Sequence, residues 1–411
     1  MKSVSTYIEI KKRKASHTIV NALEYILMLI IILEFNTILL EIKNASNYLS
    51  IFAWFVCGLL LCIGKGKKYF DPLLLFLLIG AIPPFLNIYH GTQLSYLKTF
   101  VFTLPVFFLY QSTRRINTIS ELFSPLLKFS NIVSVFAIVS IFYWFFATNL
   151  GMIQPTMMVP NDWAEFRFIP TYHFLYYETQ EVTFMGYKTM RNSGFFEEGP
   201  MYNMVLCTAL AVEFFLRPTI SWKRIFLLAL TIVTTFTTTG FIFISLILGV
   251  VLYRMVGKKN VLLKVFIIPF VFISLLSVSS LLVGDKQESG QSSLNARTRD
   301  IEECIMIGLK NPIFGQGLFT EKLQEDEGGT YGFSNSLFTL FADGGLYTVS
   351  IYVLSYAIIP FVHILKRRRL KWPFFLLSYF LLFSFTITMY NLLTMWILSL
   401  GLVLHRSRIG N

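Results

Sequence analysis

Residues 191–200 read RNSGFFEEGP and run straight into MYNMVLCTALAVEFFL, so an arginine and two adjacent glutamates head a long apolar segment. A guanidinium keeps its charge when partly desolvated and matches phosphate oxygens two at a time. A second arginine, Arg297, opens the stretch RTRDIEECIMIGLKNPIFGQG. Arg191 and Arg297, at the mouths of separate segments, are suited to clamp a diphosphate, although ion pairs with Glu197 or Glu303 would account for the same residues. Glu198, with Glu197 as its near substitute, is the candidate general base for an attacking hydroxyl. A carboxylate at a helix start is also favoured by the helix dipole alone. Burial would raise its pKa and a neighbouring arginine would oppose that.

A third cluster, TYHFLYYETQ at 171–180, packs four aromatics and a histidine into ten residues. Rings such as Tyr172, Tyr176 and Tyr177 can stack on the C–H faces of sugars, or anchor a segment at a membrane interface. His173 has no second histidine or carboxylate at ligand spacing, so no metal site is expected. Cys57, Cys62, Cys207 and Cys304 show neither metal-binding spacing nor a disulfide framework.

The rest of the chain must hold these groups at a membrane. Its 411 residues are 55% hydrophobic and 14% charged, with 42 Phe, which no soluble domain of this size can bury. Apolar runs of a length to cross a hydrocarbon core of about 30 Å fall near 18–41, 48–64, 70–88, 96–112, 129–150, 198–216, 224–239, 240–256, 265–284, 336–365, 373–389 and 391–405. The expected fold class is all-α integral membrane, about twelve transmembrane helices in one polytopic domain over 1–411. No cleavable signal peptide is expected, because the first run is too long and no small-residue cleavage site follows it.

Every second loop is rich in Lys and Arg, and these loops and the termini hold 25 of the 35 basic residues. The positive-inside rule then puts both termini in the cytoplasm and makes the net charge of +12 a topology signal, not a nucleic-acid footprint. The same topology puts two long loops outside, 151–197 and 285–335, each expected to contain short helices and to carry function. In the second, Asn295 is a fair N-cap and Asn311-Pro312 a stop. Arg297, Ile301, Cys304, Ile305 and Gly308 share one face, as in an amphipathic helix lying on the membrane surface.

In three places the chain resembles the bacterial O-antigen and capsule polymerase family, which belongs with the O-antigen ligases. Arg191, Gly194, Phe196 and Glu198 fill the family's first pattern, except that Gly199 separates the glutamate from Pro200. Arg297 stands fifteen residues before Pro312 in NPIFGQG, similar to the family's arginine and Pro-x-x-Gly-x-Gly. In SNSLFTLFADGGLYT, Asn335, Ser336, Asp343 and Gly345 match the third pattern, with Ser334 where the family has histidine. Thr239 stands in the turn TTTGF where relatives often carry arginine.

The resemblance implies a GT-C-like, metal-independent glycosyltransferase without a cofactor in the bacterial inner membrane. It would join repeat units carried on undecaprenyl diphosphate at the periplasmic face, with lipid-linked oligosaccharide as donor and acceptor, in contact with membrane lipid, and with a chain-length regulator as a partner. Arg191 and Arg297 would bind the diphosphate, Glu198 or Glu197 would take the proton, and Tyr172, Tyr176, Tyr177 and Asn335 would line the glycan path, a helix-capping role for Asn335 being equally open. Ser334 tilts the expectation from ligase to polymerase. A ligase moving glycan to lipid A core and a lipid-linked sugar flippase are the alternatives. A flippase would show midplane charges or internal repeats.

Overall fold

A computed structural model describes residues 2–38, 46–63, 97–115, 119–160, 168–184, 187–255, 290–317, 335–366 and 371–405. These residues form two compact units. One comprises Met1–Phe35, Leu39–Ile132 and Asp300–Asn411; the other comprises Asn36–Ile38 and Val133–Arg299. Among the described residues, four helical stretches are long and apolar enough to cross a membrane: Ser16–Leu33, Glu121–Asn149, Gly199–Leu216 and Ser336–Lys366. Asn47–Ile63, Thr238–Leu252, Trp372–Phe385 and Leu392–Leu404 are shorter apolar helices. This is a largely helical membrane protein. The spans expected at 70–88 and 265–284 lie outside the described residues.

In the first unit, α1 (Lys2–Leu33) ends well before the 41 expected for its span. Glu34 follows it, Asn36 takes a left-handed φ of 46°, and the helical path is lost. The helices α2 (Ser46–Ile63), α3 (Leu104–Arg115, entered by a wide π-type turn at Leu97–Thr103) and the first part of α4 (Ile119–Tyr143) pack around it. Glu24 of α1 is buried and meets Arg114, Lys128, the Tyr110 hydroxyl at 2.9 Å and Ser124 at 3.2 Å. A buried carboxylate is tolerable when so paired and hydrogen-bonded, and removing one partner is expensive.

After Asp300 the same unit holds the end of α8 (Gly290–Lys310), then α9 (Ser336–Val353), α10 (Ile359–Lys366), α11 (Trp372–Phe385) and α12 (Leu392–Leu404). Every residue of α12 is buried, as expected for a helix apolar all round. Trp396 packs against Phe107 of α3, Tyr356 donates its hydroxyl to the Thr394 carbonyl at 2.8 Å, and the Tyr379 and Thr394 hydroxyls share a bond at 2.9 Å. Such hydroxyl bonds hold helices together where apolar contact does not discriminate them from lipid.

α8 departs from expectation twice. It begins at Gly290, so Asn295 lies inside the helix and does not cap it. Its apolar stripe packs on α9, with Cys304 against Ala342 and Phe338, and Gly308 so close to Phe341 that a Cβ would stand 2.4 Å from the ring. The stripe therefore has a protein neighbour in place of the expected lipid surface.

In the second unit, α4 runs on through a π-type turn at Trp144–Asn149 into β1 (Met157–Pro160), β2 (Phe168–Tyr172) and β3 (Tyr176–Tyr177), an antiparallel sheet. A hairpin of β4 (Glu181–Phe184) and β5 (Tyr187–Met190) follows, in register Glu181↔Met190. Strands thus occupy the loop where short helices were expected. Val159, Ile169 and Tyr177 bury one sheet face on Ile38 and Phe195, the alternation a strand requires. The β2–β3 turn has positive φ at both His173 and Phe174, the geometry that matches hairpin twist. Helices α5 (Gly199–Ala211), α6 (Trp222–Thr234) and α7 (Thr238–Met255) complete the unit.

Candidate functional site

The segment 191–198 leaves β5 and enters α5 against the α6–α7 turn. The Arg191 N–H bonds Gln180 O at 2.9 Å, and the Asn192 N–H bonds Thr234 O at 3.0 Å. Asn192 is fully buried and donates from Nδ2 to Thr234 Oγ1 at 2.9 Å and to Ser140 at 3.3 Å, while its Oδ1 accepts from the Gly194 N–H. Gly194 has φ of 58° with the Tyr202 ring against it, and Tyr202 stacks on Phe196 at 5.1 Å. Asn192, Gly194 and Phe196 thereby fix the backbone between Arg191 and the glutamates.

Gly199, between Glu198 and Pro200, sits close to the Arg191 stem. A Cβ there would stand 3.3 Å from Arg191 Cδ and 3.3 Å from Thr235 O. The arginine stem lies against the first turn of α5, in space that a side chain at 199 would crowd. Glu198 is the N-cap residue but does not cap with its side chain, and Pro200 occupies the first turn, where its missing N–H costs nothing. An arginine beside a helix N-terminus concentrates positive potential, the setting in which anions bind. At the same end, Thr239 accepts from Asn203 Nδ2 at 3.1 Å, and Gly240 sits where a Cβ would meet Asn203 Oδ1 at 2.4 Å.

In the first unit the Pro-x-x-Gly-x-Gly loop and the third motif fold onto each other. α9 is broken at Gly345, with φ 60° and ψ −165°. The loop 312–317 supplies the backbone partners the break would orphan: Leu346 N to Pro312 O, Tyr347 N to Ile313 O, Gln316 N to Ala342 O and Gly317 N to Asp343 O, all at 2.9–3.0 Å. Gly315 and Gly345 both have positive φ, and a Cβ on either would fall within 2.5 Å of the opposing backbone. The glycine spacing therefore encodes a backbone joint.

That joint faces the connection between α11 and α12. Asn335 caps α9 by accepting from Leu337 N at 2.9 Å, and its Nδ2 donates to Ser384 O. Ser336 bonds Thr386 O and accepts from Thr388 N at 2.7 Å. Tyr390 donates to Asp343 Oδ2 at 2.6 Å, with Asp343 1% exposed. Two residues on, Leu392 N donates to Glu34 Oε2 at 2.8 Å. Glu34 is 7% exposed, and burial pushes its carboxyl up to about 7 against the opposing pull of the Leu392 N–H and the Lys98 ammonium.

A family model for O-antigen ligase matches residues 225–353, which hold Arg297, the 312–317 loop, Asn335 and Asp343. The match covers under a third of the 411 residues and is a likeness to the O-antigen ligase–polymerase superfamily. Comparison with curated proteins and with solved structures gave no match. Members of this superfamily are glycosyltransferase-like enzymes, and lipid-linked polysaccharide is the substrate class it implies. The match leaves 191–200 outside its bounds.

Of the residues expected to act, Arg191, Glu197 and Glu198 come together at the head of α5, all partly exposed. Arg297 lies in α8, and its side chain and Ser334 are outside the described residues. Asn335 is a helix cap, the simpler of its two readings. Tyr172, Tyr176 and Tyr177 are 4%, 0% and 2% exposed. Tyr172 and Tyr176 pack on Ala147, Tyr143, Trp144 and Ile153, and Tyr177 packs in the opposite sheet face. These tyrosines pack within the loop and hold its two sheet faces. The sequence reading passed over Asn192, Tyr390 and Glu34. Glu34 carried a signal, since an acid inside an apolar run of membrane length is a functional candidate by default, and Glu24 and Glu41 share that run.

Proposed function

We propose that this protein is a polysaccharide polymerase that joins glycan repeat units carried on undecaprenyl diphosphate at the periplasmic face of the inner membrane. The growing chain on one carrier is the donor. The terminal hydroxyl of a single lipid-linked unit attacks its anomeric carbon, and undecaprenyl diphosphate leaves with the electron pair of the broken bond. The observation that carries this reading is the Arg191 stem laid across Gly199 at the N-terminus of α5, a built cationic point for a leaving diphosphate. Preorganised positive charge at that point lowers the barrier without needing a metal. Arg297 supplies the second half of the clamp. For the hydroxyl proton, the opening motif offers Glu198 and Glu197.

Ser334 in place of the family histidine favours polymerase over ligase. The test uses detergent-purified protein with lipid-linked repeat unit extracted from a strain lacking this chain. The wild type is expected to make a ladder on a gel, and Arg191→Ala and Arg297→Ala to abolish it, since each removes a positive charge that would stabilise the departing diphosphate. A ladder that survives both substitutions refutes the clamp. One-step transfer seen only after lipid A core is added makes the enzyme a ligase.

A further inference from the structure

We infer that Lys223 and Arg224, beside Arg217 and under Trp222, bind the headgroup of an anionic phospholipid in the leaflet at the far end of α5 from Arg191. α5 and the π-type turn Val212–Leu216 make one apolar stretch of 18 residues. At 1.5 Å per residue that is about 27 Å, close to the depth of a hydrocarbon core. α6 runs back beside it, with Thr234 and Thr235 against the motif around Arg191 and its start against Glu213. Glu213 is fully buried in that stretch and is the one acid in the sequence between Glu198 and Asp285. Arg217 grips both its oxygens: Nη2 donates to Oε1 at 2.6 Å, and Nε stands 2.6 Å from Oε2. Arg224 Nη1 lies 3.5 Å from the same Oε1. Lys223, next to them, is exposed and pairs with no carboxylate among the described residues. Three cations against one carboxylate leave two positive charges at this end of the unit.

Helix stability does not account for that charge. Lys223 and Arg224 lie in the first turn of α6, where the dipole is positive and no acid offsets them. The position suits a lipid instead. α6 buries Ile225, Leu228, Thr231 and Ile232, and turns Trp222, Phe226, Leu230 and Val233 outward, between 39% and 70% exposed. These four recur at helical spacing and form an apolar stripe for acyl chains, beginning with a tryptophan, a residue that sits at headgroup level. The Arg224 side chain is 39% exposed, so it and Lys223 are both open to a headgroup above the stripe. A guanidinium and an ammonium together match the oxygens of a phosphate diester. A zwitterionic headgroup brings its own cation and gains little from a positive surplus. The expected topology puts this end at the cytoplasmic leaflet, where basic clusters beside spans recognise anionic lipid.

The full chain is reconstituted in phosphatidylcholine vesicles with a minor share of phosphatidylglycerol, one lipid or the other carrying brominated acyl chains that quench tryptophan. Trp222 emission is read as the difference between wild type and Trp222→Phe. Brominated phosphatidylglycerol is expected to quench it roughly 20-fold more per molecule than brominated phosphatidylcholine, as two surplus charges imply. Lys223→Gln and Arg224→Gln should each cut that preference about fivefold. Arg217 is left in place, because Glu213 would lose its bidentate partner inside the span. If Arg224→Gln does not fold, the exposed Lys223→Gln decides alone. Lys188→Gln, in β5, should change nothing. Equal quenching by the two lipids overturns the inference, as does a preference untouched by Lys223→Gln and Arg224→Gln or lowered equally by Lys188→Gln. A preference abolished by inorganic phosphate, and not by chloride at the same ionic strength, makes this a site for free phosphate and overturns the lipid.

Discussion

Gly199 shows how a residue without chemistry of its own sets the chemistry of another. Its neighbours at 3.3 Å are the flexible stem of Arg191 and the carbonyl of Thr235. A methyl group there is tighter than most packing allows, and the cheaper of the two to displace is the arginine. Gly199→Ala should therefore leave the thermal unfolding midpoint close to that of the wild type while lowering polymer formation by about tenfold, ~1.4 kcal/mol of lost transition-state stabilisation. An alanine variant as active as the wild type would mean that the Arg191 stem need not lie across the helix start. Arg191 and Glu198 were legible in the sequence because their types are suited to phosphate and proton chemistry. The reason for Gly199 was not, since a one-residue insertion in a motif reads as noise until the neighbouring side chain is seen.

At the scale of elements, the joint between the 312–317 loop and the break in α9 is the least forgiving part of the first unit. Gly315→Ala puts a side chain in the left-handed region, about 1–2 kcal/mol, and into the Asp343 backbone at 2.3 Å, about 1–3 kcal/mol more. A loss of ~2–5 kcal/mol should appear as a marked drop in unfolding temperature in detergent. Asn335→Ala, which loses a cap, should cost only about 1 kcal/mol by the same measurement. Equal drops for the two would show that the glycine joint is not under the steric demand its geometry implies. The apolar runs announced the helices here, and Asn311-Pro312 announced the end of α8. Its start was misread, because Asn295 is a good cap only where the helix has not already begun. The strands of 157–190 were missed for a different reason. Tyr177 is a strand residue only because Thr171 and Gly194 pair with it across the fold, and no local period carries that information.

For the whole molecule, charge carries the largest claim the sequence makes. Arg114 and Lys128 were counted among the cytoplasmic basic residues, yet both reach the buried Glu24. Basic residues near a span end thus serve packing as well as orientation, and the topology rests on the remaining runs, above all 366–371. The expected arrangement puts the strand-bearing loop outside and that run inside, which decides the side on which lipid-linked units are joined. Single cysteines can read it. Cys62 is the exposed native thiol, the other three being buried, so a Cys62→Ser background is silent. In it, Met152→Cys and Phe174→Cys, at positions 70% and 54% exposed, should react with a membrane-impermeant maleimide on intact spheroplasts. Leu365→Cys, at a position 69% exposed, should react only after the membrane is opened. Labelling of Leu365→Cys on sealed cells, with protection at the other two, would invert the chain and move the cationic head of α5 to the cytoplasm. A polymerase of exported units could not then use it. Reaction in the expected order puts Arg191 and Glu198, one helix start from that loop, on the side where an exported lipid-linked unit is found.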